Sequence, residues 1–184
     1  MLGFIFTELV EFVETVHGEE LTDHWLDSCQ LASGGAFAAT DSYSAEEIAE
    51  LVGKLSQLSG TPVPDLLCTF GEHLFGFLAR THERVIRSID DPLDLLENLD
   101  EHIHVEVCKL YPQAEVPRFT ARRVGPDEMV LRYESSRALP DLAEGLIRGA
   151  AKHFGRTVEI RRDGPPGGSG ETADFHVRMG PARE

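Results

Sequence analysis

The hydrophobic period of this chain changes near residue 112, and that change demands a mixed fold. Upstream, apolar residues recur at helical spacing. Ile5, Leu9, Phe12 and Val16 fall at i, i+4, i+7 and i+11 on one face, and Leu67, Phe70, Leu74, Phe77 and Leu78 repeat the pattern. Downstream they alternate. Phe119 to Val124 and Met129 to Tyr133 flank Gly125-Pro126-Asp127 and read as a hairpin; Thr157 to Arg161 and Ala173 to Met179 read as two more strands. A helix from Asp141 to Phe154, closed by Gly155, separates the two pairs. The expectation is a single α+β domain over residues 1–184. A helical N-terminal part (about 1–112) packs on a four-stranded antiparallel sheet with one crossing helix (about 113–184).

Local signals divide the helical part. His17-Gly18 ends the first helix, and a short second helix carries Trp25 and Leu26. Ser33-Gly34-Gly35 is a break. Ser44 followed by Glu47 predicts a capping box opening a helix through about Leu58. Pro64-Asp65 starts another. Asp91-Pro92 restarts the pattern with Asp as N-cap and Pro in the first turn, and the helical signal runs on, with room for a kink, to Pro112. The stretch Gly164 to Gly170 is too rich in Gly and Pro to predict order.

Bulk properties narrow the function classes. The chain has 184 residues, is 41% hydrophobic, and has no run near the ~18 apolar residues of a membrane span. Its apolar start, Met1 to Phe6, lacks a basic region, so no secretory signal is expected. A formal charge of -15 repels phosphate backbones and anionic lipid, so neither nucleic acid nor membrane is an expected partner. Three cysteines, Cys29, Cys68 and Cys108, make neither a CxxC metal site nor an even disulfide framework. A reducing cytoplasm is the expected compartment.

Two residue groups carry possible chemistry. Of the eight histidines, His102 and His104 lie two apart and cannot chelate one metal together; His82-Glu83 lacks the second His of HExxH. His104 is flanked by Ile103, Val105, Val107 and Leu110. A neutral imidazole among aliphatic side chains suits an axial ligand to haem iron. A helix-packing histidine would have the same neighbours, and the residues alone leave both readings open. Tyr133, Ser135 and Arg137 share one face of a strand. A phenol, a hydroxyl and a guanidinium together suit carboxylates, which Arg binds in a bidentate way. Ordinary polar display on a half-exposed strand accounts for them equally. There is no GxSxG elbow, P-loop or GxGxxG, and Cys108, at i+4 from His104, sits among apolar residues where a thiol tends to be inert.

Taken together, these residues resemble the haem nitric oxide/oxygen binding family, H-NOX, over essentially the whole chain. The resemblance rests on Met1-x-Gly3-Phe4, Phe70-Gly71, the run Ile103-His104-Val105-Glu106-Val107-Cys108-Lys109-Leu110-Tyr111-Pro112, Pro117-Arg118-Phe119, and Tyr133-x-Ser135-x-Arg137, the family's YxSxR signature. It implies haem b (iron protoporphyrin IX) as cofactor, held between the helical part and the sheet. His104 is then the proximal ligand, with His102 as the rival two residues upstream. Tyr133, Ser135 and Arg137 grip the propionates, Pro117 presses on the ring, and Ile5 packs against it.

Gas choice follows from the distal side. Oxygen-binding members carry a distal Tyr in the helix after YxSxR; the matching residue here is Leu142, and the other distal positions are Leu9, Leu74 and Leu78. Bound dioxygen is polarised and gains from a nearby donor, whereas nitric oxide and carbon monoxide depend on one far less. An apolar wall therefore predicts a sensor of nitric oxide and carbon monoxide that excludes dioxygen. The expected signal is a release: nitric oxide on ferrous iron weakens or breaks the bond to His104, whose helix then moves relative to the sheet. No output domain is expected within the chain, so the resemblance implies a histidine kinase or a cyclic-di-GMP enzyme as a separate partner. With no cysteine after Cys108, the C-terminal zinc site of some relatives is not expected. Two other classes compete. A haem enzyme of peroxidase type would want a distal His or Arg, and a haem-free interaction domain for an apolar ligand would be colourless.

Overall fold

Amphipathic helices assemble the first part of the chain much as its periodicity predicts. The structure, a computed structural model, describes residues 1–110, 114–163 and 170–182. Helix α1 (Gly3–His17) buries Phe6, Leu9, Phe12 and Val13 and stops at Gly18, whose φ of 85° is open to glycine. Helix α2 (Glu19–Ser28) carries Trp25, whose indole Nε1 donates at 2.8 Å to the Leu51 carbonyl of α3 (Ala45–Ser59). Ser44 caps α3 by accepting from the Glu46 amide, but the reciprocal half of the predicted capping box is missing. The Glu47 carboxylate instead accepts from Ser33 Oγ (2.5 Å) and Ser33 N (3.3 Å). The Ser33-Gly34-Gly35 turn thus offers two donors, and Glu47 fastens that loop to α3.

Helix α4 (Val63–Thr81) is followed by the short α5 (Glu83–Ile86) and by α6 (Pro92–Glu97), which Asp91 caps by accepting from Leu93 N at 2.8 Å. The expected kink then takes a specific form. Residues Leu99–His104 make a π-helical turn before α7 (Val105–Leu110), a wider winding frequent at functional sites. Tyr111 and Pro112, the side chain of His102, and residues 164–169 of the Gly/Pro-rich stretch lie outside the described residues.

Strands β1 (Arg118–Gly125), β2 (Glu128–Glu134), β3 (Arg156–Arg162) and β4 (Thr172–Ala182) form an antiparallel sheet of order β1-β2-β4-β3. Met129, Leu131 and Tyr133 pair with Val177, Phe175 and Ala173, and all six are buried on one face. Helix α8 (Pro140–His153) crosses that face. Its residues enter three cores: Leu142 joins the helical cluster around Phe6, Trp25 and Phe70; Ala143 and Ile147 join the sheet cluster; Ala150 joins Phe75, Ile86 and Leu95.

Helices α4 and α8 meet backbone to backbone. A Cβ on Gly145 would lie 2.0 Å from the Cys68 carbonyl oxygen, and one on Gly71 would lie 2.5 Å from that of Leu142. Both neighbours are main chain and cannot rotate aside. Gly145→Ala is therefore expected to destabilise the protein by about 1–3 kcal/mol, the usual cost of overpacking. Urea denaturation checks this, with Gly53→Ala in α3, where an added Cβ meets nothing within 4 Å, as a control expected to be stabilised by up to about 1 kcal/mol through helix propensity.

Candidate functional site

Where the helical part meets the sheet, an apolar cavity opens. Ile5 of α1, Leu74 and Leu78 of α4, and Leu142 of α8 line one portion. His104, Val107, Pro117 and Phe119 line another, and Tyr133, Ser135 and Arg137 complete the enclosure. The structure thus brings together every residue singled out in the sequence except Leu9. Leu9 is 1% exposed, is absent from the lining, and belongs to the helical core with Phe6, Phe12 and Trp25. The α1 stripe that holds Leu9 and Ile5 is wide enough to serve both the core and the cavity.

His104 ends the π-helical turn with its side chain 16% exposed. Its Nδ1 lies 2.8 Å from Asp100 Oδ1, and its ring packs at 5.8 Å from the Phe119 ring, which in turn lies 5.5 Å from Tyr133. Asp100 also accepts from the Phe119 amide at 2.9 Å. A carboxylate accepts only, so the Nδ1 proton sits between His104 and Asp100 and Nε2 is the nitrogen left for a ligand. Cys108 lines an outer groove with Asp100, His104 and Pro117. Burial pushes the thiols of Cys29 and Cys68 up from their ordinary value, as befits inert packing groups.

The YxSxR residues converge differently from the strand-face prediction. Strand β2 ends at Glu134, and Ser135 and Arg137 lie in the turn that follows. Ser135 Oγ accepts from Arg137 N at 3.2 Å, its carbonyl accepts from Ala138 N, and Ala138 has φ of 50°. The Tyr133 hydroxyl accepts from Leu139 N at 3.1 Å. A turn fastened by its own side chains, rather than strand alternation, gathers the three groups. The Arg137 side chain is 14% exposed, and its guanidinium holds both the carbonyl and the carboxylate of Glu115, the latter at 3.2 Å. This group is already bound to a carboxylate.

Several lining residues had not been assigned to the site. Ile103 and Val107, named from sequence only as neighbours of His104, lie four apart and both line the cavity, and Phe119 lies two residues after Pro117. His82 also lines the cavity, one helical turn beyond Leu78 on the face shared with Leu74. The cavity wall is therefore not wholly apolar as predicted. The i, i+4 spacing from Leu78 was a signal, but it counts only once that face of α4 is known to meet the cavity.

A slot with a tethered imidazole on its wall and a carboxylate-binding turn at its edge belongs to a class of protein that houses a prosthetic group. The chain belongs to the haem-NO-binding family, whose family model matches residues 2–162. The family is one of haem-based gas-sensing domains, not enzymes. The residues present fit a haem. Its flat ring needs apolar walls, its iron needs a neutral nitrogen donor, and its two carboxylates need cationic and hydroxyl donors. The lining, His104 and the Tyr133-Ser135-Arg137 turn answer these in order.

Solved structures are similar over nearly the full length. An Fe(II) unliganded H-NOX protein mutant, A71G, from K. algicida is 31% identical, with 98% of this chain and 97% of that chain covered and a TM-score of 0.91. An H-NOX from Shewanella woodyi, bound to IWP-051 in the Fe(II)CO ligation state, is 40% identical, with 99% and 96% covered and a TM-score of 0.82. An H-NOX protein from S. oneidensis in the Fe(II)NO ligation state is 28% identical, with 97% and 99% covered and a TM-score of 0.88. No curated protein matches the chain. Among the described residues no helix is long and apolar enough to cross a membrane.

One carboxylate beside the cavity is buried at a cost. Glu8 of α1 is 5% exposed, its Oε2 has no hydrogen-bond partner among the described residues, and His73 Nε2 of α4 stands 3.5 Å away. Burial pushes its carboxyl above the ordinary value of 4.5, Glu11 adds to this, and His73 and Arg80 oppose it. The folded state then keeps the proton to higher pH than the unfolded chain. Stability from this group is full below the ordinary value and is lost as pH rises through the raised one. Glu8→Gln is accordingly expected to be more stable than the parent at about pH 8, by roughly 1 kcal/mol, with the gap shrinking towards about pH 5. Denaturant midpoints measured at both pH values check this.

Proposed function

We propose that the chain is a sensor of nitric oxide and carbon monoxide that holds haem b through His104. Tyr133, Ser135 and Arg137 bind the propionates, and Pro117, Ile5, Leu74, Leu78 and Leu142 form the walls. The observation that carries this reading is that His104 and Arg137 face one apolar cavity between the helical part and the sheet. When bound, ferrous haem would supply the chemistry that takes up diatomic gases. Of the residues expected on the gas side, the three that line the cavity, Leu74, Leu78 and Leu142, offer no hydrogen-bond donor, which supports exclusion of dioxygen. The chain has no CxxCH run for covalent attachment, so the group is held by packing, coordination and propionate contacts alone.

Each polar residue has a defined task. His104 donates its Nδ1 proton to Asp100 and keeps Nε2 for the metal. Arg137 exchanges the Glu115 carboxylate for a propionate. Tyr133 and Ser135 use oxygen lone pairs to accept from Leu139 N and Arg137 N, and each retains its O–H to donate to a propionate. The turn that carries His104 is tied to β1 through Asp100 and Phe119, so a change in what holds His104 would be passed to α7 and to that strand. Residues 1–184 act as one unit, and a separate cytoplasmic histidine kinase or cyclic-di-GMP enzyme reads the shift. A tenfold change in partner affinity requires ~1.4 kcal/mol of coupling.

Purified, reduced protein is expected to show a Soret band that moves on addition of nitric oxide. His104→Gly should lose most of its haem unless imidazole is supplied, and His102→Gly should retain it. The opposite pattern would assign the ligand to His102, and a protein that stays colourless after haem supplementation would sink the reading. On exposure of the ferrous protein to air, no long-lived oxygenated spectrum is expected. Appearance of such a spectrum, with its loss in His82→Leu, would make His82 a distal donor instead.

A further inference from the structure

One carboxylate in the site does two things at once. Asp100 and His104 lie four residues apart on the π-helical turn, where side chains at that spacing meet. Asp100 Oδ1 takes the His104 Nδ1 proton at 2.8 Å, and Asp100 Oδ2 accepts from Phe119 N at 2.9 Å. Phe119 is the second residue of β1 and lies two residues beyond Pro117. Its ring also packs against the His104 imidazole, 5.8 Å between centroids and 37° between planes. The imidazole is therefore held at one nitrogen and along one face, and both holds lead to the same strand.

We propose that Asp100 is a positioning residue for His104: its carboxylate fixes which ring nitrogen faces the metal, strengthens that nitrogen as a donor, and ties the ligand to strand β1. This rests on the reading of His104 as the iron ligand. The chemistry follows from the two bonds. An ionised carboxylate has no proton to give, so His104 must carry hydrogen on Nδ1 and present Nε2. An imidazole that shares its N–H with a carboxylate is the more basic ligand. The second oxygen sets where the first one sits, because Phe119 is held in the β1–β2 register opposite Tyr133 and does not move independently.

Asp100→Asn separates this role from a merely structural one. Asparagine has nearly the same shape and keeps one oxygen for the Phe119 amide, but its NH2 cannot accept from His104 Nδ1. The experiment uses the full chain loaded with haem. Resonance Raman of the reduced protein is expected to show the iron–histidine stretching band at lower frequency in Asp100→Asn than in the parent. The midpoint potential is expected to rise, and haem transfer to apomyoglobin is expected to be about 10-fold faster, the usual effect of losing an outer-shell partner. Asp100→Glu should recover part of the band shift. An unmoved band and potential in Asp100→Asn, with His104→Gly still abolishing the band, would overturn the proposal and leave the ligand reading intact. Absence of the band in the parent protein would remove the ligand reading itself. Where Asp100→Asn loosens the fold, a parallel loss of unfolding free energy without a band shift counts as a structural role and also overturns the proposal.

Discussion

The close passage of α4 over α8 is the constraint on which the rest of this architecture stands. Gly71 and Gly145 let two main chains touch where any side chain would meet a carbonyl oxygen. α4 belongs to the helical part and α8 to the sheet, so the contact locks two layers that have separate cores. It also sets where the layers do not touch. The cavity opens beside this crossing, walled by Leu74 and Leu78 from one helix and Leu142 and Leu146 from the other. Packing that is tight at one place and open next to it makes a slot rather than a collapsed interior.

Within that slot, polarity is confined to a few groups, and most have partners. His104 shares its proton with Asp100, Tyr133 and Ser135 hold main-chain amides of their own turn, and Arg137 holds Glu115. Such second partners fix direction. A side chain tied at one atom presents the other atom to a ligand in a set orientation, and little ordering remains to be done on binding. Glu8 is the contrast: it is buried, its Oε2 has no hydrogen-bond partner among the described residues although His73 Nε2 stands 3.5 Å away, and it is not part of the cavity lining.

Much of this was legible in the linear order of residues, and the misses share one cause. Helical spacing marked α1, α3, α4 and α8, alternation marked all four strands, and a single motif context picked His104 from eight histidines. Leu9, placed at the cavity by the family resemblance, packs in the helical core and is not in the lining; periodicity reports that a residue is buried, not against what. His82 was overlooked for the same reason in reverse: on α4 it continues the row of Leu74 and Leu78, yet only the neighbouring elements show that this row meets the cavity. Tyr133, Ser135 and Arg137 line one cavity, but not for the reason the sequence suggested. Alternation along a strand was invoked, whereas a turn after β2, closed by Ser135 and by a positive φ at Ala138, gathers them.

By itself the order of amino acids determined the elements, the layer class and the chemical types in the site, because hydrophobic period, glycine and proline placement and side-chain functional groups are local properties. Only the tertiary structure decided which faces look into the cavity, that Glu47 serves Ser33 instead of its own helix end, and that Asp100 joins His104 to Phe119. Each of these depends on residues distant in the chain arriving at hydrogen-bonding or van der Waals distance, and no pattern of spacing encodes that arrival.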